Sequence, residues 1–305
     1  MTEIGPPRDL VGYGRRPPRA TWPDDARLVV NLVLIYEEGS EYSILEGDRR
    51  NDGWGEYAPS ADPPVRDLGT ETHYEYGSRA GIWRLARLVE QYQIPATVSA
   101  TAVALERNRE VAAWMRETGH DLLGHGWRWT ELWTLSWEEE HRQLLRAIDL
   151  YREILGERPL GWNSRSFPSV NTRDLLVEEG GFLYDSDPCN DDLPYFVDVG
   201  GTRLLVVPYS KTTNDARYLT TPGFASPRDF SEQCRAAMDE LWREGATHPK
   251  MMTIAVHARW SGQPARAAAL RDVLEHAAAK DGVRFMRRVD IARWWIERSP
   301  GFRAD

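Results

Sequence analysis

Two adjacent carboxylates, Glu37 and Glu38, follow the apolar run of LVLIYEEG, and two histidines close similar runs, His125 in DLLGHGWRW and His257 in MMTIAVHAR. A guanidinium, Arg165, sits just past the short run of LGWNSRSFP. A carboxylate can take a proton from water, an imidazole can hand one to a leaving group, and a guanidinium can orient a carboxylate through a paired hydrogen bond. These are the groups that hydrolysis needs, and all of them end apolar segments.

Adjacent strand residues face opposite sides. Gly39 after the pair lets the chain turn, so both Glu37 and Glu38 are expected to reach one cleft. There paired carboxylates raise one another's proton affinity, and either one can serve as base. A solvated strand end is the plain alternative. Gly124 and Gly126 around His125 permit close backbone approach. Arg128 and Trp129 offer a guanidinium and an aromatic plane to a flat, amide-containing ligand. Arg165 can orient a catalytic carboxylate or form a structural salt bridge. Asp185 and Asp187 end another strand, and one of them can orient His125 or His257. His257, at the tip of a buried strand with Arg259 two residues on, fits a general acid that donates to a departing amine. The other five histidines read as ordinary loop or helix residues.

The elements that carry these groups alternate. Arg27–Tyr36 reads as a strand buried on both faces. Residues 1–25 form a Pro-, Gly- and Arg-rich arm, and 40–78 form a long loop inserted in the domain of 26–305. Helical spacing begins at Ile82. Pro95–Thr101, His120–Gly124, Leu160–Asn163, Phe182–Asp185, Arg203–Tyr209, Met251–His257 and Val283–Met286 read as strands. Between them lie helices over Leu105–Thr118, after a Ser136-x-x-Glu139 capping box, after an Asn171 cap, and after Ser226-Pro227-x-Asp229. Seven or eight β/α units without a linker predict a single-domain α/β barrel, in which the C-terminal strand ends build the active site.

Composition narrows the function. The 305 residues are 41% hydrophobic and 28% charged with a net charge of −9, which argues against nucleic acid or an anionic membrane as partner. Cys189 and Cys234 give no disulfide framework, no apolar leader is visible, and no run approaches the roughly 18 apolar residues of a membrane span. A cytoplasmic enzyme with a small-molecule substrate is expected. The 13 tryptophans and the long loop fit aromatic cleft walls and a homo-oligomer.

From about Asp9 to Trp295 the chain resembles the polysaccharide deacetylase superfamily (NodB homology, carbohydrate esterase family 4), which implies a distorted (β/α) barrel. The family's Asp-Asp-Gly motif corresponds to Glu37-Glu38-Gly39, implying a base and a metal ligand. Its His-x-x-x-His motif corresponds to His125 through Trp129, its third motif to Arg165-Ser-Phe-Pro168, and its final histidine to His257. Trp129 stands where the second histidine ligand belongs, which leaves only Glu38 and His125 for a divalent metal, fewer than the three protein ligands usual in a catalytic site.

RDLVGYGRRPP, NLVLIYEEGSEY, YEYGSRAGIWRL, HARWSGQPARAAAL and DIARWW further resemble the metal-independent allantoinase, or urate-catabolism, branch. NSRSFPSV is closer to the deacetylase form of its motif. The resemblance implies hydrolysis of a cyclic amide, ureide or imide with no cofactor, a carboxylate base and a histidine acid. Glu37, Glu38, His125, Arg165 and His257 are the expected catalytic residues, and Tyr36, Arg128, Trp129, Pro168 and Arg259 the expected substrate contacts. A metal-dependent N-acetylglucosamine deacetylase is the second reading, and a barrel that binds without catalysis the third.

Overall fold

Leu28–Tyr36 is a strand whose nine residues are all buried, as its uninterrupted apolar run requires. It is β1 of nine strands among residues 5–56 and 64–302, which the computed structural model describes. The others are β2 (Thr97–Ala100), β3 (Asp121–Gly124), β4 (Gly161–Trp162), β5 (Tyr184–Asp185), β6 (Tyr195–Val199), β7 (Thr202–Val206), β8 (Lys250–His257) and β9 (Val283–Phe285). They form one sheet in the order β6-β7-β5-β4-β3-β2-β1-β8, with β9 beside the first half of β1. All pairs are parallel except the β6–β7 hairpin. The gap between β7 and β8 is crossed by loops: Ala255 N–H donates to Thr213 O at 3.1 Å and Met251 N–H to Asp192 O at 3.0 Å. The result is a distorted single-domain (β/α) barrel.

Side-chain alternation along β1 and β8 decides what faces the barrel interior. Leu32, Leu34 and Tyr36, with Ile254 and Val256, point outward into the core shared with the helices. Val33, Ile35 and Ala255 point inward toward Tyr209. Continuing the period, Glu37 and His257 face inward, while Glu38 faces the helices. Below them the interior is polar. Arg288, fully buried, donates to Asn31 Oδ1 at 2.7 Å, to Thr253 Oγ1 at 2.9 Å and to Val207 O at 2.9 Å, and also reaches Ser186 and Pro208.

The outer layer comprises α1 (Leu68–Tyr76), α2 (Ile82–Gln91), α3 (Ala102–Arg107), α4 (Arg109–Thr118), α5 (Trp137–Leu155), α6 (Thr172–Glu179), α7 (Pro227–Glu244), α8 (Pro264–Ala278) and α9 (Arg288–Arg298). Several differ from expectation. The 40–78 segment is not all loop, because α1 occupies its end and runs through a wide π-turn at Gly77–Gly81 into α2. A side chain at Gly77 would collide with Glu38, and one at Gly81 with the Ala258 carbonyl. These two glycines let the helix pass against both strand ends. Residues 57–63 of that segment lie outside the described residues.

The helix expected over 105–118 breaks at Asn108, whose amide donates to Ser78 Oγ at 3.0 Å. Ser226 is the N-cap of α7 with Pro227 at its first position, as expected, and Asp229 completes a capping box there. At Ser136 only half of it forms, since Glu139 turns to Gln143 at 3.1 Å. Asn171 does not cap α6 with its side chain; Ser169 Oγ accepts the Asn171 and Thr172 N–H groups at 2.9 and 3.2 Å instead.

Candidate active site

The inward parity of β1 and β8 brings three expected catalytic residues together. Glu37 Oε1 lies 3.0 Å from His125 Nε2 and 3.7 Å from His257 Nε2, and its Oε2 accepts from Arg259 Nη1 at 2.7 Å. These three partners together outweigh burial. Burial alone would raise the Glu37 carboxyl, but Arg259 first, then His257 and His125, hold it at about 2. Glu37 is therefore ionised throughout the neutral range.

Each histidine is fixed from behind. His125 Nδ1 is 2.7 Å from the Asn163 carbonyl. A carbonyl only accepts, so Nδ1 carries a hydrogen and Nε2 faces Glu37. His257 Nδ1 is 2.6 Å from Asp215 Oδ1, and its ring packs on Trp260 with centroids 4.1 Å apart. Ser261 Oγ donates to Asp215 Oδ2 at 2.6 Å. Asp215 holds the imidazole in the tautomer that presents Nε2 to the cleft.

Sequence reasoning missed Asp215 and Asn163. Asp215 follows an irregular polar stretch with no apolar run immediately before it. Only the Asn214–Ala255 bridge reveals that this stretch lies along β8. Asn163 acts through its main chain, which no residue-type signal could show.

Other expected residues lie elsewhere. Glu38 does not join Glu37, because strand alternation turns it outward against Gly77. There it accepts the Glu37 N–H at 2.8 Å and the Arg259 N–H at 3.1 Å, and burial pushes its carboxyl up to about 8. Tyr36, on the same outward side, is fully buried with its hydroxyl 2.7 Å from Ser78 Oγ, so it contacts no cleft. Arg128 turns back to the long loop, pairing with Asp48 at 2.6 and 3.1 Å and with Glu41 O at 2.7 Å. Arg165 takes the structural alternative. It donates to Asp52 at 2.7 Å and Trp129 O at 2.6 Å, lies over the Trp129 ring at 3.7 Å, and is not bonded to Glu37. Neither Asp185 nor Asp187 contacts a histidine; the former pairs with Arg173 at 2.9 Å and the latter accepts from Ser164 Oγ at 2.8 Å.

A cleft of about 510 Å³ opens over Glu37, His125 and His257. Trp129, Trp54, Trp260 and Phe167 wall it, and Lys211 lies at its edge. Trp129 is thus where a substrate contact was expected. Pro168 and Arg259 do not line the cleft, although Ser166 and Phe167 next to Pro168 do. Ser166 has φ +58°, a left-handed backbone that re-aims the chain beside the cleft.

The donor set does not fit the divalent ion that the resemblance leaves open. Glu38 faces away from His125, Trp129 has no lone pair to offer, and both Glu37 oxygens are already engaged. Among the described residues no group of three or more His, Cys, Asp or Glu is placed to hold a metal ion.

Residues 72–168 match the family described as Polysaccharide deacetylase. A "Putative polysaccharide deacetylase" of Schizosaccharomyces pombe is 34% identical over 96% of this chain and 98% of its own length. Two crystal structures superpose closely. A probable polysaccharide deacetylase of Pseudomonas aeruginosa PAO1 has a TM-score of 0.91 at 43% identity, and Puue allantoinase has 0.90 at 42%. Each match covers 97% of this chain and 99% of the other. With the barrel and full-length relatives in agreement, this chain belongs to the polysaccharide deacetylase family, hydrolases of carbon–nitrogen bonds other than peptide bonds.

Proposed function

We propose that this enzyme hydrolyses the C–N bond of a small cyclic amide, ureide or imide, without a metal ion. One observation carries the reading: Glu37 is held by two imidazoles and a guanidinium, with Trp129 where a second histidine ligand would stand. The likeness to Puue allantoinase at 42% identity over nearly the whole chain supports the substrate class.

Water enters beside Glu37, the only carboxylate of the adjacent pair that borders the cleft among the described residues. Glu37 accepts a proton as the water oxygen attacks the carbonyl carbon. Its low pKa keeps it ionised and limits how long it holds that proton. His125, oriented by Asn163, faces the developing oxyanion. Glu37 passes that proton to His257 Nε2, 3.7 Å away, and His257, backed by Asp215, gives it to the ring nitrogen as the C–N bond breaks. The aromatic walls of Trp129, Trp54 and Trp260 suit a flat ring.

No helix among the described residues is long and apolar enough to cross a membrane. A cytoplasmic enzyme acting on a small molecule, with no nucleic-acid or membrane partner, accords with the acidic composition, and a homo-oligomer with the many tryptophans and the long loop. The test is a hydrolysis screen on allantoin, hydantoins, succinimide and N-acetylated sugars. Ring opening of a cyclic member supports the reading, and acetate release from the sugars alone overturns it.

A further inference from the structure

Arg259 is fully buried, yet only one of its guanidinium nitrogens, Nη1, has a hydrogen-bond partner. Burying such a group is costly unless other charges and dipoles replace its hydration. The Glu37 carboxylate does so on one side at 2.7 Å, with the Glu38 carboxyl group at 3.8 Å. On the other sides stand the ring faces of Trp260 at 4.2 Å, Tyr74 at 4.5 Å and Trp129 at 5.0 Å. A cation held over the face of an aromatic ring is attracted by its quadrupole. The residue at the second-histidine position thus helps to house a positive charge beside the base.

We infer that Arg259 is a built-in cation that does for Glu37 what a bound divalent ion would otherwise do, fixing the carboxylate's orientation and balancing its charge. The inference rests on the metal-free reading above. Arg259 lies behind Glu37 and does not border the cleft, so it is a positioning residue, in contrast to its expected role as a substrate contact. It acts on the rate of the chemical step through Glu37, with little effect on binding.

Arg259→Gly leaves a space shaped for guanidinium, bounded by three rings, the Glu37 carboxylate and the Glu38 carboxyl group. Thermal unfolding of this variant in millimolar guanidinium chloride, against equal urea and equal sodium chloride, tests the inference without any substrate. Urea has the same planar shape and no charge. The expected result is a rise in Tm with guanidinium only, absent in the wild type. An equal response to guanidinium and urea, or no response to either, overturns the inference.

Should Arg259→Gly not fold, Arg259→Lys and Arg259→Gln carry the test through turnover of a cyclic amide. Gln is expected to lower kcat a hundredfold or more with KM changed less than threefold, while Lys recovers at least tenfold of that loss. Equal losses in Lys and Gln, or a Gln variant with wild-type kcat, overturn the inference. A wild type that opens no cyclic amide would instead refute the proposed function, and the thermal comparison would still decide the role of Arg259.

Discussion

Asp215 holds His257 at two points, its Oδ1 2.6 Å from ring Nδ1 and its Oδ2 accepting the His257 backbone N–H at 2.8 Å. The carboxylate thereby fixes ring orientation and tautomer together. Asp215→Asn offers an amide whose NH₂ cannot accept from Nδ1–H, which favours the wrong tautomer. It is expected to reduce kcat by about 10²–10⁴, the usual worth of a positioned acid or base, with a smaller change in KM. Steady-state kinetics on a cyclic amide, beside a circular dichroism spectrum matching the wild type, check this.

Glu37 and Glu38 are separated by strand parity, and so should be their variants. Glu37→Gln is expected to lose about 10²–10⁴ in kcat, because the amide cannot take a proton from water. Glu38→Gln alters the hydrogen bonds at the strand end and the setting of Arg259, so its main effect is expected on Tm, with a kcat loss well below that of Glu37→Gln. Similar kcat losses in both variants would contradict the assignment of Glu37 as base.

Asp121, at the start of β3 and remote from the cleft, gives a pH signature. Burial raises its carboxyl from 3.8 to about 6, against opposing hydrogen bonds from Thr97 and the Val289 N–H. Between these values the folded chain keeps a proton that the unfolded chain releases, so this group's contribution falls as pH rises and is lost above about 6. Asp121→Asn is therefore expected to gain on the wild type by on the order of 1–3 kcal/mol at pH 7.5, with the gap closing near pH 4. Denaturant unfolding at the two pH values measures it.

Arg288 ties β1, β8 and the segments after β5 and β7 together from inside the barrel. Arg288→Leu removes the buried donor to Asn31 Oδ1, Thr253 Oγ1 and the Val207 and Pro208 carbonyls. A loss of roughly 3–5 kcal/mol is expected, as for breaking one side of a buried charged network. Urea unfolding with an unchanged m-value checks it.

The strand ends were legible because a doubly buried strand is a continuous apolar run, and β1 and β8 are the longest of these. That logic placed Glu37, His125 and His257 on one rim. It could not assign the neighbours at a strand end, where one residue of offset decides between cleft and helix layer. Tyr36 and Glu38 fell on the helix side for this reason. Arg128, Arg165 and Arg259 carry the same charge in similar contexts, and only distant partners separate them: Asp48, Asp52 and Glu37. The β6 strand, Tyr195–Val199, was missed because its partial exposure interrupts the apolar run. Helix α1 was hidden by weak amphipathicity over Leu68–Tyr76, in which only Thr70 and Tyr74 are buried.

Turnover after exhaustive chelation decides whether catalysis is metal-free. The purified enzyme would be dialysed against a strong chelator, its residual metal quantified, and ring opening of allantoin and hydantoins compared with the untreated enzyme. Unchanged kcat at substoichiometric metal is expected. Loss of turnover on chelation, restored by one equivalent of a divalent ion, would contradict it.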